Sequence, residues 1–165
     1  MQLALMDLFR AKWTNRIHDE WIRNLLQNRP DLKSDQLEKT RRLMNTATRD
    51  CLVEGYDDLI ESVKLPDEDD RHVLAAAIHS EADIIVTFNL KDFPQKVLRQ
   101  HKMESLHPDE FITRLIDMDA AAVCQAAQQH RARLRNPPKT VDEYLLTLAN
   151  QGLAKTVKFL KMSVV

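Results

Sequence analysis

A chain of 165 residues, 44% hydrophobic and 30% charged, has the length of one domain with a sizeable core and the composition of an ordinary soluble globular protein. With only 2 glycines, and neither GxGxxG nor GxxxxGK(S/T), nucleotide binding through a glycine-rich phosphate loop is excluded. The 24 basic and 25 acidic residues leave a net charge of −1, so any affinity for nucleic acid has to come from a local patch.

Cys51 and Cys124 lack CxxC or Cys/His ligand spacing and read as reduced thiols of a cytoplasmic protein, with no zinc site. No apolar run approaches the roughly 20 residues of a membrane span. The N-terminus has no basic region followed by an apolar core. A cytoplasmic protein without membrane association is expected.

Leu3, Leu5, Met6, Leu8 and Phe9 predict an amphipathic helix over 1–9, already under way at Met1. Lys12-Trp13-Thr14 reads as a short strand. Thr14 or Asn15 then caps a helix with Ile17, Trp21, Ile22, Leu25 and Leu26 inward, closed by Pro30. Glu20 lies one position off that face, where a carboxylate is ordinarily a solvated boundary group. Ser34 or Asp35 starts a second helix with Leu37, Leu43, Met44 and Ala47 inward, and Lys39, Arg41 and Arg42 on a solvated face. Cys51 to Glu54 reads as a strand, and a turn at Gly55 leads to a brief helix through Leu59-Ile60.

The stretch Leu65 to Pro94 combines a helix, a strand and acidic groups. Asp67 to Asp70 precede Val73, Leu74, Ala76 and Ala77, so Asp67 reads as the N-cap of a helix that ends near Ser80. Ile84-Ile85-Val86 reads as a strand buried on both faces. Asn89 and Asp92 follow it, and a helix starts around Asp92 with Pro94 in its first turn. In a parallel α/β sheet, helices begin at the edge where strands end, so Asp70, Asn89 and Asp92 meet at the carboxyl edge, where such sheets place their sites. Converging carboxylates repel, and a cation or a raised pKa relieves them. The competing reading makes Asp67 and Asp92 caps and leaves Asp70 to complement a helix dipole. The residues alone do not choose between the two.

Gln95 to His101 completes that helix, and Met103 to Leu106 reads as a short edge strand. His107-Pro108-Asp109-Glu110 is a helix-start pattern ahead of Phe111, Ile112, Leu115 and Ile116, and Ala120 to Leu134 continues as an Ala-rich helix. Its end, with Arg131, Arg133 and Arg135 followed by Lys139, suits a helix C-terminus electrostatically and equally suits contact with RNA. Pro137-Pro138 breaks the chain. Thr140 and Glu143 form a capping box, Gly152 ends that helix, and a last amphipathic helix carries Val157, Phe159 and Leu160.

Glu20 in an early helix, Asp-Arg-His-Val-Leu-Ala-Ala-Ala from Asp70, and Ile-Val-Thr-Phe-Asn-Leu-Lys-Asp-Phe from Ile85 together resemble the PIN-domain ribonucleases, in particular the VapC-type toxins of bacterial toxin–antitoxin pairs. The likeness covers roughly residues 1 to 112, and the helices after 119 resemble an extension found in one branch of the family. It implies an α/β fold, a parallel sheet flanked by helices, with a PIN-like domain over 1–118 and a helical C-terminal extension over 119–165. It also implies that Glu20, Asp70 and Asp92, with Asn89 as a further ligand and Thr87 in support, surround Mg²⁺ or Mn²⁺. Arg131, Arg133 and Arg135 would hold the RNA backbone. The family's first strand, ending in a further metal-binding Asp, is expected to be absent ahead of Met1, either because the true start lies upstream or because the chain is a truncated remnant.

The expected function is a Mg²⁺-dependent endoribonuclease, the toxin of such a pair, with an antitoxin covering the acidic cleft and a homodimeric assembly. The rival is a catalytically impaired remnant that acts only as an antitoxin-binding module. A receiver-like or phosphatase pocket ranks lowest, because it needs an Asp nucleophile after a first strand.

Overall fold

The computed structural model describes residues 1–163, which fall into two compact units. One comprises Arg10–Ile85 and Asn89–Ser105; the other comprises Met1–Phe9, Val86–Phe88 and residues 106–163.

In the former, α1 (Asn15–Asn28) starts as the sequence predicts: Thr14 is extended and its hydroxyl accepts the Ile17 N–H. α2 (Ser34–Ala47) follows. Of its expected inward residues Leu37 is buried, but Leu43 and Ala47 are exposed, so the helix buries a narrower stripe than its apolar content suggests. A buried polar network ties α1 to α2. Trp13 Nε1 donates to Asn45 Oδ1 at 2.7 Å, and His18 Nε2 lies 2.9 Å from the same oxygen. Trp21 Nε1 donates to His18 Nδ1 at 2.9 Å. That bond leaves the His18 proton on Nε2, so His18 donates to Asn45. The strand expectations at 12–14 and 51–54 reduce to one parallel bridge, Trp13 with Leu52.

After α3 (Asp57–Ile60) comes α4 (Arg71–His79), with His72, Leu74, Ala75, Ala76 and Ala77 buried. The helix ends at Ser80 as expected but starts later than a cap at Asp67 requires, with Asp70 at the N-cap position. β1 (Ile84–Val86) and β2 (Glu104–Leu106) form a parallel two-stranded sheet: Asp83 O accepts the Glu104 N–H, and the Thr87 N–H donates to Leu106 O. Only Ile85 of β1 is buried, and Val86 is 43% exposed, so the expectation of burial on both faces is corrected. An all-apolar run of three suits full burial, but this sheet has only one pairing for the strand among the described residues. The helix predicted from Asp92 starts at Gln95 instead. α5 (Gln95–Leu98) has Pro94 at its N-cap and runs into a 3₁₀ turn, Arg99–His101. Leu65, Leu74, Ile85, Phe93, Leu98 and Met103 pack into the core that α4, β1 and α5 share.

In the other unit the predicted helix over 1–9 is a single 3₁₀ turn, Ala4–Met6, closed by Asp7 in the left-handed region at φ 55°. Phe9 packs edge-on against Phe111, ring centres 4.9 Å apart. α6 (Pro108–Arg133) carries a break at Asp119 (φ −151°, ψ 85°), whose carboxylate accepts the Ala122 N–H at 2.9 Å and restarts the helix. The Thr140–Glu143 capping box opens α7 (Val141–Asn150), and Gly152, at φ 81°, turns the chain into α8 (Ala154–Met162). Ala127, Tyr144, Leu145, Leu148, Val157 and Leu160 form the core of these helices. No helix of the described residues is long and apolar enough to cross a membrane.

Candidate metal centre

The turn from Leu65 into α4 assembles the acidic groups. Asp67 Oδ1 accepts the Asp69 N–H at 2.9 Å, an Asx turn that folds the loop just ahead of the helix. On the far side of β1, the Asp92 N–H donates to Asn89 O, a turn that brings the side chains of residues 89 and 92 together, and Asn89 Nδ2 donates to Asp92 Oδ2. Asp67, Asp70 and Asp92 each present a carboxylate oxygen within 4.8 Å of the other two. Asp67 and Asp92, with Pro66, Glu68 and Asp69, line an open cleft of about 480 Å³.

None of the three aspartates is spent on capping. Asp70 sits at the N-cap position with helical backbone angles and no side-chain cap bond. Asp67 lies outside the helix, and Pro94 takes the N-cap position expected for Asp92. The electrostatics agree with crowding: burial pushes the Asp70 carboxyl above its ordinary value, and Asp67, Asp92, Glu20 and Asp69 push it further. Arg71, the first residue of α4, is paired with Glu68.

Glu20 stands apart from the group of three. Its Oε1 lies 3.5 Å from Arg16 Nε, one helical turn back on α1, and 2.9 Å from Nε2 of His72 on α4. The His72 side chain is wholly buried, and neither ring nitrogen makes a well-aligned hydrogen bond. Burial lowers the His72 pKa, against the opposing pull of Glu20.

Of the residues singled out in the sequence, Asp70 and Asp92 meet as expected, and Asn89 reaches Asp92 as a hydrogen-bond donor. Thr87 lies in the other unit, as do Arg131, Arg133 and Arg135. Arg131 donates to Lys139 O and Arg133 to Gln2 Oε1, while Arg135 forms a backbone bridge with Pro138. Sequence reasoning missed Asp67 and His72. Asp67 three positions ahead of Asp70 resembles a cap, and only the Asx turn separates a cap from a converging carboxylate. His72 lay hidden among the buried alanines and leucine of α4, where a lone histidine carries no periodic signal.

A family model described as "PIN domain" matches residues 1–91, more than half of the chain. A second, described as "VapC50 C-terminal domain", matches residues 108–161. A Mycobacterium tuberculosis (strain ATCC 25618 / H37Rv) protein described as "Putative ribonuclease VapC50" is 45% identical over 64 residues. That alignment takes in 39% of this chain and 37% of the relative, little more than a third of the relative's length. No solved structure matches the chain. With an aspartate cluster at the start of α4 and the end of β1, and a family model spanning both elements, this chain belongs to the PIN domain family.

Proposed function

We propose that the chain is a metal-dependent endoribonuclease of the VapC toxin type, with Asp67, Asp70 and Asp92 as the carboxylates that hold Mg²⁺ or Mn²⁺. The observation that carries this reading is the convergence of three carboxylate oxygens within 4.8 Å, none of them used as a helix cap. The donor set fits the ion, because hard cations take oxygen ligands. Oxygens on one Mg²⁺ at about 2.1 Å lie about 3.0 Å apart when adjacent and about 4.2 Å apart when opposite, so three oxygens within 4.8 Å of one another draw closer on binding.

Each residue then has a role. Asp70, whose carboxyl is raised by burial and by its acidic neighbours, is relieved of that repulsion by a cation. Asn89, expected as a ligand, orients the Asp92 carboxylate through its amide. Glu20 supplies a further acidic group beside the cluster, near enough to act on Asp70. When bound, the cation supplies a water of lowered pKa and offsets charge on the phosphodiester oxygens. Thr87 is kept as a supporting residue. Arg131, Arg133 and Arg135 are kept as contacts to the RNA backbone, a salt-sensitive and sequence-blind contribution. A division into a PIN domain over 1–118 and a C-terminal extension over 119–165 would fall at the helix break at Asp119, whereas the compact units and the second family match both divide the chain earlier, between 105 and 108. The partners that follow are an RNA substrate, an antitoxin laid over the acidic cleft and a second copy of the chain, in the cytoplasm.

The test is cleavage of a pool of labelled RNAs by the purified chain. Scission is expected with Mg²⁺ or Mn²⁺, and none with EDTA or in Asp70→Asn. Intact RNA at every metal concentration overturns the nuclease reading and favours the rival, a non-catalytic antitoxin-binding module.

A further inference from the structure

We infer that His72 is a positioning residue whose buried ring holds the Glu20 carboxylate beside the Asp67, Asp70 and Asp92 cluster. This rests on the metal reading above and concerns how α1 is recruited to that site.

His72 lies two residues after Asp70 on α4, so its ring is tied to the element that starts at the cluster. It is wholly buried, with Nε2 2.9 Å from Oε1 of Glu20 on α1. A buried imidazole without well-aligned hydrogen bonds is costly to keep. A leucine fills the same space without that cost, so packing alone does not account for a histidine here. The second contact of Glu20, with Arg16, comes from its own helix, and the Arg16 side chain is 46% exposed. Exposed i,i+4 pairs of this kind hold a side chain only weakly. His72 is therefore the contact that fixes Glu20 across helices. The backbone carrying Glu20 is fixed as well, because His18, two residues earlier, is locked between Asn45 and Trp21. Outer groups that orient carboxylates and histidines around a metal are generally worth a large factor in affinity.

The experiment is Mn²⁺ binding to the full chain, followed by electron paramagnetic resonance of the free ion, alongside the thermal midpoint of the metal-free protein. His72→Leu keeps the bulk and removes the ring nitrogen that faces Glu20. His72→Gln can place an N–H at the reach of Nε2. The inference expects His72→Leu to weaken Mn²⁺ binding about tenfold or more, with Gln recovering most of it. The metal-free midpoint should hold steady or rise in His72→Leu. Glu20→Gln should match His72→Leu, and the double variant should be no weaker than either single one, since residues acting as one unit are not additive. Wild-type binding by His72→Leu, or losses that multiply in the double variant, overturns the inference. The Asp70→Asn variant separates the two levels. If it binds Mn²⁺ like the wild type, the metal reading itself falls and this inference with it; if it loses binding while His72→Leu keeps it, only this inference falls.

Discussion

Asp70 occupies the N-cap position of α4 yet caps nothing, because its backbone is already helical at φ −84°, ψ −6° and a side-chain cap requires extended angles. That single geometry separates the two readings the sequence left level. A capping carboxylate is stabilised by helix N–H groups, whereas the Asp70 carboxyl is pushed up by burial and by four acidic neighbours. Asp70→Asn is therefore expected to leave the metal-free thermal midpoint steady or raised while it abolishes metal-dependent cleavage; a large loss of stability with cleavage retained contradicts this. Asp92→Asn, ambiguous if Asp92 were a cap, becomes a clean probe once Pro94 holds that position. Asp67→Asn should weaken Mn²⁺ binding, while Asp69→Asn, which lies outside the group of three, should change it little. Asp70 and Asp92 were legible because their spacing around a strand is a sequence pattern. Asp67 was not, since the Asx turn that aims it depends on the Asp69 backbone.

Helix starts closed by neighbouring residues are legible in the sequence, and those closed by distant ones are not. The Thr14 cap and the Thr140–Glu143 box are complete within four residues, and both are present. Thr140→Ala should cost about 1 kcal/mol in urea denaturation. The N-terminus of α8 behaves differently, since Leu153 offers it no side-chain cap. Its cap comes from 46 residues away: buried Asp109, at the start of α6, accepts the Lys155 N–H at 2.8 Å, the Thr156 N–H at 2.9 Å and the Thr156 hydroxyl at 2.7 Å. No local pattern encodes that. Burial raises the Asp109 pKa, but the bonds from Thr156 and Lys155 outweigh it and leave the carboxyl below its ordinary value. A depressed carboxyl stabilises the fold above the unfolded value of about 3.9, and that contribution is lost as pH falls through the lower folded value. Asp109→Ala should thus destabilise by about 3 kcal/mol at neutral pH. The gap from the wild type should narrow below about pH 4. A gap independent of pH contradicts the charged cap. The helix expected over 1–9 failed for the opposite reason: its apolar residues are real, but they pack from a 3₁₀ turn because Asp7 takes left-handed angles.

For the whole molecule, family membership rests on a match over residues 1–91, which takes in Glu20, Asp70 and Asn89 of the residues that carry the resemblance and ends just before Asp92. That the sheet pairs in parallel was readable from the order of helix and strand; that β1 is buried on one side only was not, because burial depends on what packs against a strand rather than on its composition. A cation that binds only the folded state raises stability by about 2.7 kcal/mol at a hundred times its dissociation constant. Mn²⁺ should therefore raise the thermal midpoint of the wild type and leave that of Asp70→Asn unmoved. The central claim is that Asp67, Asp70 and Asp92 hold one divalent cation, and the most direct measurement is a Mn²⁺ titration of wild type, Asp70→Asn and Asp69→Asn followed by electron paramagnetic resonance. One saturable site is expected in wild type and Asp69→Asn and none in Asp70→Asn; equal binding by all three, or no binding by the wild type, rules out a cation held by these aspartates.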